Sequence, residues 1–111
     1  MPENKLDMPV SEVLALADTV KVQDGAVVSR TLVKKPTGTV TVFAFDEGQG
    51  LSEHTTPFDA LVQVLEGKVE ITIAGKPLTV QSGEIVLMPA NQPHELKALT
   101  RFKMLLTMIR S

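Results

Sequence analysis

Two side chains carry most of the chemistry open to this sequence: His54 and His94, the only histidines in 111 residues. Imidazole titrates near neutral pH and is the commonest metal ligand, so acid–base or metal chemistry must pass through one or both. Cysteine is absent, which removes disulfides, thiol nucleophiles and thiolate metal sites. Ser52 lies two residues before His54, but no third residue is placed to orient that base, so a serine triad is not supported. Trp and Tyr are absent and only four Phe remain, which leaves few aromatic platforms for bases or interface anchors. Lys and Arg total 11 against 13 Asp and Glu, a net charge of −2 that gives no electrostatic case for nucleic acid or anionic membrane. No run of 18 apolar residues spans a membrane, and the polar start, Met1 to Lys5, leads into no targeting segment. The expectation is a cytoplasmic protein.

The elements that must position the histidines read as strands. Near the start, Ser11 as cap, Glu12 in the first turn and an apolar stripe of Val13, Leu14, Leu16, Ala17 and Val20 predict one short helix. Beyond Asp24-Gly25 the period changes to two. Val27 to Val33, Thr39 to Phe45, Phe58 to Leu65, Lys68 to Ile73, Leu78 to Val80 and Phe102 to Ile109 all predict strands. Ile85 to Met88 is apolar on both faces, which predicts burial on both sides or a place at an interface. A short segment carries His54, and the rigid loop Pro89 to Pro93 delivers His94. Eight to ten short strands without intervening helices predict an antiparallel all-β sandwich or barrel. Residues 1–24 form an N-terminal arm with the short helix, and residues 25–111 form the barrel.

The spacing around the two histidines resembles the paired motifs of the cupin superfamily. Gly48, five residues, His54 and then Gly67 keep the frame of the first motif. Gly83, five residues, Pro89 and then His94 keep the frame of the second, with fifteen residues between Gly67 and Gly83. The chain is therefore similar to a small single-domain cupin of the cupin_2 conserved-barrel type, an RmlC-like jelly roll. That resemblance implies a double-stranded β-helix, or jelly-roll barrel. It also implies a metal at four positions, of which this sequence keeps two. His54 and His94 take ligand positions, Thr56 stands at a second His position, and Ala60 stands where a Glu would be. Asn91 replaces the loop Gly and Ala98 the final Asn. A catalytic first-row site usually takes three or more protein ligands. Strand alternation points Glu53, Asp59 and Glu95 away from His54, Ala60 and His94, so the metal site reads as degenerate. Its occupant is expected to be none or a weakly bound divalent metal (Mn, Fe, Ni or Zn) on His54 and His94.

The same alternation places Ala60, Val62 and Val64 inward, facing Val69, Ile71 and Ile73, with Met88 or Leu87 and Met104 or Leu106 closing the far side. The expected site is an apolar cavity lined by Ala60, Val62 and Met104, with His54, Thr56 and His94 at its mouth. Such a site suits a small, largely apolar molecule with one polar group. No Lys or Arg falls on the inward face, so a phosphate ligand is not favoured. The first functional reading is thus a small-molecule-binding cupin with a degenerate metal site. The alternative is a metal-dependent oxygenase or isomerase on a two-His site, and a third is a non-catalytic structural or interaction module. A barrel this small cannot bury two-faced apolar strands alone, so a homodimer is expected, with residues 10–20 covering the partner or a sheet edge.

Overall fold

The computed structural model describes residues 5–110; residues 1–4 of the expected arm and Ser111 lie outside them. Ten strands follow one another as β1 (Lys5–Leu6), β2 (Val27–Lys35), β3 (Gly38–Phe45), β4 (Gly50–His54), β5 (Asp59–Glu66), β6 (Lys68–Ile73), β7 (Lys76–Gln81), β8 (Ile85–Met88), β9 (His94–Ala98) and β10 (Phe102–Ile109). They form a six-stranded sheet in the order β1-β2-β3-β10-β5-β8 and a four-stranded sheet in the order β4-β9-β6-β7. The recorded pairings are antiparallel. The two sheets close face to face as a jelly-roll barrel, the all-β barrel that the strand pattern predicts and the form that the resemblance implies.

β10 is the keel of the larger sheet. All eight of its residues pair with β3, and from Lys103 onward it also pairs with β5. Its even residues point inward, among them Phe102 and Met104, which are fully buried. There they meet Phe45, Val62 and Val64 of the same sheet and Val69, Ile71, Val80, Leu96 and Ala98 of the other. Phe45 stacks between Phe43 and Phe102, with ring centroids 5.8 and 4.5 Å away. Each large aliphatic or aromatic side chain removed from water in this way contributes roughly 1.5–3 kcal/mol.

The outer face of the larger sheet carries a second core. Leu32, Val42 and Ala44 are buried there under Val20, with Met8, Leu16 and Val22 packed around them. The arm therefore covers its own sheet, and β1 extends that sheet's edge by pairing with β2. The expected short helix is reduced to a single 3-10 turn, Leu16–Thr19. Ser11 cannot cap a helix, because its φ of 63° is left-handed where a cap residue is extended. Val13, expected on the apolar stripe, is 98% exposed. An isolated helix this short has little stability of its own. Packing and specific bonds order the arm instead: Lys103 Nζ donates to the Ala17 carbonyl at 2.6 Å, and Arg101 bridges Asp24 to Asp46.

Two further departures have simple causes. The turn expected over Ala74 to Pro77 shrinks to Ala74-Gly75, with φ of 50° and 80°. That is the two-residue hairpin geometry whose twist suits the flanking strands. Pro77 then falls inside β7, an edge strand whose outer side needs no amide donor. Ile85 to Met88 is not buried on both faces within the single chain: Ile85 is 59% and Leu87 51% exposed.

The tight connection from β5 to β6 rests on Gly67. Its φ is +81°, and a Cβ there would meet the Arg101 carbonyl oxygen at 2.1 Å and Phe102 Cβ at 2.8 Å. Gly48 has a similar φ of +83° but open space around it. Gly67→Ala is therefore expected to cost more than about 2 kcal/mol, combining backbone strain with a clash against main chain. Gly48→Ala is expected to cost about 1 kcal/mol from strain alone. Urea unfolding of both variants checks the order.

Candidate functional site

His94 opens β9, where alternation buries His94, Leu96 and Ala98 and exposes Glu95 and Lys97. The loop before it is held by short bonds. Asn91 N donates to the Thr56 carbonyl at 2.8 Å, and the Asp59 carboxylate accepts from Ala90 N at 2.9 Å. Asn91 sits at φ 66°, a left-handed conformation that Asn tolerates better than most side chains. The Asn in place of the loop Gly therefore keeps the turn.

His54 reaches the same place by a register shift. β4 pairs with β9 as Leu51↔Leu96 and then His54↔His94, three steps on one strand against two on the other. The extra residue is a β-bulge, and it turns both Leu51 and His54 onto the inner face. Without it, Glu53 would stand opposite His94. The two imidazole rings meet edge to face, centroids 4.4 Å apart at 67°.

Hydrogen bonding fixes how each ring presents itself. His54 Nδ1 lies 2.7 Å from the Ser52 carbonyl oxygen, and His94 Nδ1 lies 3.2 Å from that of Gln92. A carbonyl only accepts, so both Nδ1 atoms donate. In the neutral rings, Nε2 is then the free acceptor. The environments differ: His54 is exposed at the rim, whereas His94 is 4% exposed. Burial pushes the His94 pKa below its ordinary value of 6.5; the Gln92 carbonyl opposes that shift and charge on His54 adds to it. Protonation of the buried ring is thus disfavoured.

Below the histidines lies a narrow cavity of about 30 Å3. Of the six residues expected to form the site, His54, Thr56, Ala60, His94 and Met104 line it together. Val62 is buried in the core beside it and is not part of the lining. Leu51, Met88, Leu96, Leu106 and Met108 complete the walls. Met108 and Leu96 were legible from period two, as Met104 plus four and His94 plus two; Leu51 depends on the bulge. Thr56 offers less than its position suggests, because its hydroxyl already bonds the Phe58 main chain at 3.2 and 3.3 Å. Wider depressions of about 250, 350 and 480 Å3 elsewhere on the surface are open and hold no histidine.

The residues present do not fit the four-ligand metal centre that the resemblance implies. Among the described residues, no group of three or more His, Cys, Asp or Glu comes together. Glu53, Asp59 and Glu95 are exposed, and Asp59 serves the Ala90 amide. The two imidazoles have no oxygen donor beside them from a carboxylate.

Comparison with known proteins gives a consistent family. The model described as "Cupin domain" matches residues 41–109. A conserved protein of unknown function from Streptococcus pyogenes is 38% identical, with a TM-score of 0.90 over 94% of this chain and 91% of that one. A cupin 2 conserved barrel domain protein from Leptotrichia buccalis is 41% identical, with a TM-score of 0.85 over 87% of this chain and 47% of that one. A cupin superfamily protein from Desulfitobacterium hafniense is 25% identical, with a TM-score of 0.89 over 98% and 99% of the two chains. No curated protein matches at a significant level. Among the described residues, no helix is long and apolar enough to cross a membrane.

The burial of His94 has a measurable consequence. Its folded pKa lies below 6.5, so between those two values the unfolded chain binds more protons than the folded one. Its contribution to stability is complete above 6.5 and is lost as pH falls through that window. His94→Gln removes this term. The wild type is expected to lose melting temperature faster than the variant between pH 7 and pH 5. Parallel curves would show that burial does not set the charge state.

Proposed function

This chain belongs to the cupin domain family, and from that premise we propose that it is a binding protein whose ligand presents one polar group to His54 and His94. The observation that supports this reading is the pair itself: two imidazoles 4.4 Å apart, each held by its own backbone through Nδ1. That arrangement leaves two Nε2 acceptors at the mouth of an apolar cavity. Two acceptors cannot satisfy each other, so the pair calls for a donor, whether a hydroxyl, an amine or a cation.

Size narrows the expectation drawn from the sequence. A cavity of about 30 Å3 holds about one water, far below the 300 Å3 or more that enclose an organic molecule. Only the polar head of a ligand enters, and any apolar remainder rests on the rim. The oxygenase or isomerase alternative is less well supported, because among the described residues no third His and no carboxylate joins the pair.

The second part of the proposal is a homodimer. Ile85 and Leu87 project from the edge strand β8, and Leu61 stands beside Leu87 in register. Ile109, at the end of β10, is also exposed. These residues lie outside the outer core that the arm covers. An exposed apolar edge invites pairing with a second copy about a two-fold axis.

Two experiments test these readings. The first uses phenol and small alcohols as probes, with the imidazole 15N shifts of both histidines observed by NMR. Binding is expected to move both rings, and His54→Gln or His94→Gln to weaken it about tenfold, near 1.4 kcal/mol. Probes that bind while leaving both rings unmoved would overturn the site. The second is light scattering: Leu87→Glu is expected to halve the mass of a wild-type dimer. A wild type that stays monomeric at every concentration excludes the interface.

A further inference from the structure

Three strands bring a second kind of donor to the histidine pair. On the inner face of the larger sheet, Ala60 of β5 stands opposite Met88 of β8 on one side and Met108 of β10 on the other. Ala60 ends at Cβ, so the row is open between two long thioether side chains. Met88, Ala60 and Met108 line the same cavity as His54 and His94. Of the four methionines among the described residues, three line this cavity, and the fourth, Met8, packs against the outer core. The rest of the inner core is built mainly of Val, Ile, Leu, Ala and Phe, so apolar packing alone does not call for this cluster.

We propose that His54, His94, Met88 and Met108 form a binding site for a soft monovalent cation, copper(I). The proposal rests on the binding reading above only in placing the ligand at the histidine pair, and it goes further by naming that ligand. Four features select the ion. Neutral imidazole and thioether are soft or borderline donors, and thioethers in particular favour Cu(I) over Mn, Fe or Zn. No carboxylate reaches the cavity, and the cost of burying an uncompensated ion rises steeply with its charge, so a single charge is tolerated where a double one is not. The cavity of about 30 Å3 admits a bare ion and excludes a hydrated divalent cation with its water shell. Each His already donates Nδ1–H to a carbonyl, the outer bond that orients a ligating ring and leaves Nε2 free for the metal. Methionine has three rotatable bonds, so either sulfur can adjust to an ion beside Ala60. This soft set replaces the hard one that the family resemblance implies, and it requires no change of oxidation state.

The test is an anaerobic titration of the full metal-free chain with Cu(I) against the chromophoric chelator bicinchoninate, followed by copper X-ray absorption. The expected result is one Cu(I) per chain with at least one sulfur neighbour. The near-isosteric double variant Met88→Leu/Met108→Leu is expected to lose at least tenfold in Cu(I) affinity. If that variant fails to fold, the two single variants and the wild-type absorption spectrum decide the same point. The proposal is overturned if the protein yields all Cu(I) to the chelator, if the bound ion has only nitrogen and oxygen neighbours, or if removing both sulfurs leaves the affinity intact. A wild type that binds no Cu(I) but shows the phenol shifts sinks the copper site alone; a wild type that shows neither sinks the binding reading as well.

Discussion

Strand β4 carries one more residue than the stretch of β9 opposite it, between the Leu51–Leu96 and His54–His94 pairs. Side chains alternate strictly along a strand, so a single extra residue inverts the faces of everything beyond it. With the bulge, His54 joins His94 on the inner face. Without it, the same sequence would aim Glu53 at His94 and His54 at solvent. The bulge is tolerable because β4 lies at the edge of its sheet, where a local break in the ladder disturbs one neighbour only. The bond from His54 Nδ1 to the Ser52 carbonyl closes across the bulged residues, so the irregularity and the orientation of the ring support each other.

The second constraint is the unequal burial of two chemically identical side chains. His54 sits at the rim with access to water, and His94 sits behind it at 4% exposure. Placing a charge on His94 means taking it out of water beside a second imidazole, so burial disfavours the charged form of the inner ring. In the proposed binding role the pair would form an ordered entry, with an exposed group to meet a ligand and a buried group to hold its polar end. Thr56 does not add to this entry, since its hydroxyl is spent on the turn at Phe58.

The barrel was legible in the sequence because its information is local. Lys68 to Ile73 alternates cleanly, and the glycines at 48, 67 and 83 mark turns with left-handed backbone. The arm was not legible, because the spacing of Leu16 and Val20 fits a helix as well as a segment that drapes over a sheet. What decides is the partner surface of Leu32, Val42 and Ala44, which no local pattern reveals. Leu32 is itself a bulged residue, the extra one on β2 between the Thr31 and Val33 pairs. The histidines could be placed by their frames, but their meeting depended on a bulge that Ser52 and Glu53 do not announce. The width of the cavity was beyond the sequence too, since Ala60 suggests room that Met88 and Met108 then narrow.

Alternation along β8 ties the outside of the protein to this cavity. Leu87 points outward beside Leu61, and Met88 points inward beside Ala60. β8 is short and at the sheet edge, paired on one side only. Such an edge has few bonds to resist displacement, since the strand's ladder pairing in the single chain is to β5 alone. A second copy packed on Ile85 and Leu87 would hold the strand from its other face and narrow the range of positions open to Met88. The proposed interface and the proposed ion site thus share a four-residue strand. If both proposals hold, a ligand that fixes Met88 would favour the strand position that the partner requires, and the partner would reduce the ordering cost that the ligand meets. Coupling of this kind is reciprocal by linkage, and here it needs no pathway longer than one peptide unit.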